Sequence, residues 1–537
     1  MKKNIIYTTL AVFTALFMWG CSLDETPKDL LPEDEAFRNP TLIYLNTVAS
    51  IYTEIGADAG WGSGLAGTDR GLYDINVMTA DEAITPIRGA DWDDGGLWKG
   101  LFMHQWTQST DMFGGIWDYL YRVVGKCNLN LDKLYELQEA DPENIYFPEY
   151  IAEVRTVRAM YYYYLLDNFA RVPIVTSSTT AISDVKQSER SEVFKFVVDE
   201  LQAAAPLLRS AKSANTGEYY GRMTKSVAYF LLAKLALNAQ VYSDDSWATH
   251  SAPTGSTNFT VDGENVGAWN AVIHYADLIK GEGYELNPNG FSANFSLKNE
   301  GSPENIFVIP MDPISYKAKN MYMVRTLHYS HAPAWNFEGW NGLSATKDLL
   351  AIFRKGGDDP RLEMSFFTGK VKGADGQLIV VDGQEFAYDP DRIAMDLSGS
   401  DEDKRAGARW AKYELDPNSL ANGQLVHNDY VLFRYADVVL MKAEAKVRLG
   451  QNGDAELKEV RDRVGASNRA ATLDNILDER MLELSWEGFR RQDLVRFGKY
   501  TQANQHRTTA SGAFRVVFPI PEAVLNKNVN LTPNPGY

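Results

Sequence analysis

The sequence predicts a mainly α-helical fold, assembled from tetratricopeptide-like helix pairs with long irregular loops and minor β-hairpins between them. Three observations carry that prediction. Apolar residues recur at three- and four-residue steps through much of the chain, the period of an α-helix buried on one face. Gly450, followed by Gly453 and Asp454, ends one helix and opens the next, as a helical hairpin requires. The long stretches between helices are rich in glycine and aromatic residues, a composition that breaks helices but does not favour disorder.

Taken in chain order, Met1–Gly20 reads as a secretory signal. Lys2 and Lys3 start it, Ile5 to Trp19 form an apolar run too short for a comfortable membrane span, and Gly20-Cys21 closes it. A small residue before a cysteine at this distance resembles a bacterial lipoprotein processing site, with the mature chain beginning at a lipidated Cys21. A plain signal with an incidental cysteine is the alternative. Residues 21–40 are polar and carry Pro27, Pro32 and Pro40, which reads as a lipidated tether; the acidic start Ser22-Leu23-Asp24-Glu25 resembles a surface-export signal. Residues 41–537 read as a single globular domain, with no second apolar segment long enough to span a bilayer.

Helical patterns follow near 42–55 and 115–138. They continue through Ile151, Val154, Val157, Met160 and Tyr164, then near 192–208, and through Val227, Phe230, Leu231 and Leu235. Further ones lie near 268–280 and 344–354, through Tyr435, Val438, Val439 and Met441, and over 473–497. Small residues such as Ala228, Ala233, Ala443 and Ala445 suit close helix contacts. The helices carry no regular repeat period, so the pairs are degenerate rather than a uniform solenoid. Residues 56–115, 310–343 and 366–428 are predicted as loops, the last with a strand-like run from Leu378 to Val381.

Composition narrows the function classes. The chain has 537 residues, two cysteines and a net charge of −18; cleavage before Cys21 removes two lysines and no acid and leaves −20. Cys127 would then be the one free thiol, so the core alone holds the fold. The acidic balance argues against nucleic-acid binding. Aromatic residues make up 12 % of the chain, which asks whether those rings are core or a binding surface.

Several segments together resemble the RagB/SusD family of outer-membrane nutrient-binding surface lipoproteins. The run Asp478–Leu494 (DERMLELSWEGFRRQDL) is similar to that family's C-terminal signature. Phe518-Pro519-Ile520-Pro521 and Asn530–Tyr537 are similar to its terminus. Ala152–Leu165 followed by Val172-Pro173, and Arg434–Ala445, match its long N-terminal helix and its middle element. Phe169-Ala170-Arg171 departs from the more usual Tyr-Gly-Asp before Val-Pro, which affects local turn chemistry. The resemblance covers the whole chain in order, with an N-terminal region of about 22–240 and a C-terminal region of about 268–537. It implies four tetratricopeptide-like helix pairs and a polysaccharide-utilisation role: a lid on a SusC-like TonB-dependent transporter, lipid-anchored in the outer membrane and facing the cell exterior. It implies a binding protein for oligo- or polysaccharide, without cofactor, and not an enzyme.

A sugar presents apolar C–H faces and many hydroxyls, so a site needs flat aromatic rings beside side chains that pair with hydroxyls. The loop 81–98 offers Trp92 and Trp98 for stacking and Asp81, Glu82, Arg88, Asp91 and Asp93 for hydroxyls. The family places its ligand on such a loop and on a partner after the middle helices. Here that partner is 328–341, with Tyr329, Trp335, Trp340 and Asn341 as the candidates. Taken singly, a tryptophan suits core beneath a loop better than a binding face, and for Trp92 the family position implied by the resemblance balances the two. The acidic balance disfavours polyanionic glycans, whereas Arg88 leaves room for an acidic sugar.

Other signals yield weaker readings. Gly62-Ser63-Gly64-Leu65-Ala66-Gly67 fits G-x-G-x-x-G but neither follows a strand nor opens a helix. Glu483 and Glu487 lie one turn apart, as carboxylates on a helix surface paired with Arg490 and Arg491 rather than as a glycosidase pair facing across a cleft. His328 and His331 read as an aromatic loop edge rather than metal ligands. The acidic run Asp389–Asp403 lacks an EF-hand order and reads as a solvated loop. Two alternatives stay open: an extracytoplasmic glycoside hydrolase on a helical scaffold, and a helical-repeat scaffold that binds only protein.

Overall fold

In a computed structural model, which describes residues 37–56, 63–66, 69–316 and 318–537, helical periodicity becomes helix almost everywhere it was expected. Among the described residues eight helices run ten residues or longer: α1 (Asp111–Ala140), α2 (Phe147–Phe169), α3 (Arg190–Ala204), α4 (Lys225–Leu237), α5 (Ala268–Gly281), α6 (Tyr435–Arg448), α7 (Asp454–Arg463) and α8 (Leu473–Leu484). The chain divides into two compact units, Met1–Asn46 and Thr47–Tyr537. In the first, a short helix over Pro40–Tyr44 is capped by Asn39, whose side-chain oxygen accepts from Leu42 N at 3.0 Å. The signal, Cys21 and most of the tether lie outside the described residues.

In the second unit successive helices pack as pairs: α1 on α2, α2 on α3, α3 on α4, α4 on α5, α5 on α6, and α6 on both α7 and α8. The apolar stripe of α1 (Phe113, Ile116, Leu120, Val124, Cys127, Leu131, Leu134) is fully buried, as its three- and four-residue spacing dictates. Flanked by α1 and α3, α2 has little solvent face. Tyr161, Tyr162 and Tyr163 are core, and the Tyr161 and Tyr119 hydroxyls meet at 2.6 Å so that neither buried O–H is left unpaired. Between α6 and α7, Gly450 adopts φ +72°, and a Cβ on Gly453 would stand 2.9 Å from the Ala443 carbonyl oxygen, so both glycines are required for the hairpin.

The structure corrects several details. The predicted helix 473–497 is two helices, Leu473–Leu484 and Arg490–Arg496, because Trp486 and Gly488 take positive φ and the chain turns between them. The loops hold more structure than their glycine content showed: helices over Leu72–Val77, Leu97–Phe102 and Tyr322–Thr326. The 366–428 region contains paired strands, in which Val380–Val381 pairs with Gln384–Glu385 and Gly369–Lys370 with Ala387–Tyr388. The longest ladder pairs Asn305–Ile309 antiparallel with Tyr430–Arg434 and delivers the chain into α6.

Glu483 and Glu487 are not on a helix surface. Glu483 is fully buried and accepts from Arg434, Arg361 and Arg463, while Glu487 accepts from Arg434 and Lys412. Arg490 pairs instead with Asp81 and Arg491 with Asp167. This corrects the expected pairing of Glu483 and Glu487 with Arg490 and Arg491. The reason is the turn at 485–489, which carries the two arginines away to other elements.

Candidate functional site

Short strands bring three distant loops together. Ala83–Ile84 pairs antiparallel with Ser344–Ala345, and Ile87–Arg88 lies parallel to Asp396–Leu397. Residues 340–342 are held against 324–327, with Trp340 N donating to the Val324 carbonyl at 2.7 Å and Asn341 N to that of Leu327 at 2.9 Å. On this frame Arg88 and Asp91 exchange backbone hydrogen bonds, which turns the chain so that Asp91, Trp92 and Asp93 stand at the surface.

Trp92 is half-buried with φ +63°, a conformation an aromatic residue rarely holds unless its surroundings enforce it. Its indole N–H donates to the Trp340 carbonyl at 2.7 Å, and the Trp92 and Trp340 rings lie 6.4 Å apart. Beneath the Trp92 ring is Gly342, where any Cβ would collide with it. Tyr329 is 38 % exposed; its hydroxyl donates to Asp91 at 3.4 Å and accepts from Asn341 Nδ2 at 3.3 Å. Trp92 with Trp340 and Tyr329 with Asp91 therefore form one face, beside which Asp93 is exposed.

The other expected residues lie beneath or beside this face. Trp98 is 1 % exposed, with its N–H on Asp94 and the Arg325 guanidinium 5.2 Å from its ring centre. It is core, because the helix Leu97–Phe102 turns it inward. Asp81 is spent on a two-point ion pair with Arg490 at 2.7 and 2.8 Å. Glu82 is fully buried and accepts from Trp486 N at 2.7 Å; burial lifts its carboxyl to about 8 despite that bond, so it is a neutral acid near pH 7. Arg88 is buried and donates to Ser344 Oγ and to the carbonyls of Asn341, Asp403 and Ala406. Asn341 is buried too, its Oδ1 accepting from Arg409 at 2.8 Å. These five fix the loops from within and do not present a surface to a ligand. Trp335 is half-buried and turns to the neighbouring hairpin, its N–H on the Lys372 carbonyl at 2.9 Å.

His328 and His331 lie inside the loop rather than at its edge. Burial, then Arg409 and Arg88, push His328 down to about 3, and burial with Arg409 pushes His331 to about 4, so both rings are neutral. The segment 389–403 is likewise more than a solvated loop. Its helix Asp401–Lys404 packs over Arg88, and Asp403 pairs with Arg392. Ser63–Ala66 are neither helix nor strand; Gly62 and Gly67 lie outside the described residues. A separate cleft of about 520 Å³ is lined by Arg354, Asp358, Glu363, Thr368, Tyr388 and Asp389. Its one ring, Tyr388, is buried, so the cleft offers no stacking face. Arg409, Ser344, Gly342 and Tyr388 were not legible as site residues, because each acts on a loop far away in sequence.

Fold and face together define a helical scaffold whose loops are gathered on a short-stranded frame. A family model described as "SusD family" matches residues 303–537, and one described as "Starch-binding associating with outer membrane" matches residues 83–237. The chain belongs to the SusD/RagB family. It is similar to the starch-binding protein SusD of Bacteroides thetaiotaomicron, with 23 % identity over 519 residues, covering 89 % of this chain and 87 % of that one. Among solved structures it resembles surface glycan-binding protein A of the same organism in complex with laminarihexaose (TM-score 0.69, 20 % identity, 92 % of this chain and 99 % of that one). It also resembles surface glycan-binding protein A of Bacteroides uniformis (TM-score 0.70, 20 % identity, 92 % and 99 %).

Proposed function

We propose that the chain captures oligo- or polysaccharide at the cell surface and delivers it to a SusC-like TonB-dependent outer-membrane transporter. The observation that carries this reading is the face of Trp92, Trp340 and Tyr329 flanked by Asp91 and Asp93, on a scaffold shared with proteins named for starch and glycan binding. Stacking would supply the apolar contact and the carboxylates would take hydroxyls, a combination that gives modest affinity at an open surface. Residues 1–20 would be removed, Cys21 would carry the lipid, 21–40 would tether, and 41–537 would act as one domain facing the cell exterior. Among the described residues no helix is long and apolar enough to cross a membrane, which is compatible with a lipid as the anchor.

Affinity electrophoresis of the full chain against a panel of neutral and acidic polysaccharides tests the reading. Retardation by at least one glycan, with no reducing sugar released, is the expected result. Release of reducing sugar would favour a hydrolase, and retardation by none would favour a scaffold that binds only protein.

A further inference from the structure

The platform rests on an unneutralised cationic floor. Arg88 and Arg409 are 1 % and 0 % exposed, both donate to the Ser344 hydroxyl, and neither forms an ion pair among the described residues. Their other bonds run to neutral oxygens: the carbonyls of Asn341, Asp403, Lys404 and Ala406, and Asn341 Oδ1. Arg409 Nε is buried with no partner. The nearby carboxylate of Asp403 is already held by Arg392 and by Ser398. Lys404 and Arg405, half-buried on the same turn, also form no ion pair among the described residues. His328 and His331 are neutral and add no charge. Two buried guanidiniums side by side repel in a medium that screens poorly; the carbonyls and the Tyr388 ring, 5.1 Å from the Arg409 guanidinium, offset part of that cost, and a nearby anion would lower it further.

One anion is already poised there. Arg409 Nη2 donates to Asn341 Oδ1 at 2.8 Å, Asn341 Nδ2 donates to the Tyr329 hydroxyl at 3.3 Å, and that hydroxyl donates to Asp91 Oδ2 at 3.4 Å. Asn341 Nδ2 also donates to the Lys404 carbonyl at 3.0 Å; along the relay itself each donor points from the buried cation toward the surface. Asp91 is exposed and its bond is long, so it is held loosely.

We propose that the exposed Tyr329 edge of the platform, backed from beneath by Asn341, takes the anionic group of an acidic glycan, a uronate carboxylate or a sulfate ester, and that Asp91 occupies this position in the ligand-free protein. Trp92 and Trp340 would then stack on the neighbouring sugar. The proposal rests on the glycan-binding reading above and narrows it to one class of sugar. It also departs from what net charge alone implied, since Arg88, Arg409, Lys404 and Arg405 gather near this edge although the whole chain carries −18.

Isothermal titration of the full chain with an oligogalacturonate, a sulfated galactan oligomer and laminarihexaose tests it, at low and at high salt. At least one acidic oligomer should bind about tenfold more tightly than the neutral one, and its affinity should drop severalfold as salt rises from about 0.01 M to about 1 M. Asp91→Asn should tighten acidic binding severalfold, by removing the resident competitor, and Lys404→Gln should weaken it. Binding of the neutral oligomer equal to or tighter than both acidic ones overturns this proposal and leaves the glycan-binding reading standing. Weaker acidic binding by Asp91→Asn overturns it as well. Binding of no glycan overturns both.

Discussion

Trp92 shows how one residue can be costly to fold and useful to keep. Its positive φ is strained by about 1 kcal/mol or more, and two features hold it there: the bond to the Trp340 carbonyl and the absence of a side chain at Gly342. Gly342→Ala should therefore push the Trp92 ring off its seat and weaken glycan binding about tenfold or more, while far-UV circular dichroism stays as in the parent. Glu82 makes a separate prediction. Its folded carboxyl sits near 8, against an ordinary value of 4.5, so the neutral form is favoured in the folded state. The stability this gives is complete below about pH 4.5 and is lost as pH rises to about 8, by at most about 1.4 kcal/mol per pH unit. Glu82→Gln, which stays neutral at every pH, should flatten that loss in denaturant titrations at pH 5, 6.5 and 8. An unchanged slope would remove Glu82 as its source.

At the scale of elements, the signature Asp478–Leu494 is a folding device. Arg434, at the junction of the strand Tyr430–Arg434 and α6, binds Glu304, Glu483 and Glu487, and Arg463 and Arg361 close the network around Glu483. Burial alone would raise the Glu483 carboxyl, but the Arg463, Arg434 and Arg361 guanidiniums outweigh it and hold Glu483 well below its usual range. Without the Glu483 charge three buried guanidiniums share fewer carboxylates, Arg434 keeping Glu304 and Glu487, Arg361 keeping Asp359 and Glu479, and Arg463 keeping Glu304, so Glu483→Gln should destabilise the fold by about 3 kcal/mol without altering the binding face. The end of α2 behaves differently. Ala170 closes that helix at φ +57°, where glycine is unstrained, so Ala170→Gly should raise stability by about 1 kcal/mol in urea titration. Helices were legible because their packing period is local. The signature was legible as a motif, but its partners were not, since Glu483 meets Arg434 and Arg361 across turns that no local spacing encodes. The same distance hid the floor of the site. Arg88 stood out in sequence beside Trp92, but its acceptors lie on Asn341, Ser344 and Ala406, more than 250 residues away.

For the molecule as a whole, opposing groups set a window of greatest stability. Glu304, Asp437, Glu444 and Glu483 are buried and would be raised by that, yet their arginine and lysine partners hold them down. The stability they give is present above about pH 4.5 and is lost as pH falls. Burial lifts Asp429 to about 7 and Glu82 to about 8, and the stability they give is lost as pH rises towards those values. Thermal melts from pH 3 to pH 9 should peak between about pH 4.5 and 7 and fall on both sides. At this scale burial agrees with the sequence for the tyrosines of α2 but not for every loop tryptophan. The tyrosines of α2 are core and the rings of two loops form a face, yet Trp98, read as part of that face, is core. The central claim is that glycan binds on the face of Trp92, Trp340 and Tyr329. Isothermal titration of the full chain and of a Trp92→Ala, Trp340→Ala double variant, with whichever oligosaccharide the parent retains, addresses it directly. A loss of about tenfold or more in affinity, with the melting temperature held, is the predicted result; equal affinity in the double variant would contradict it.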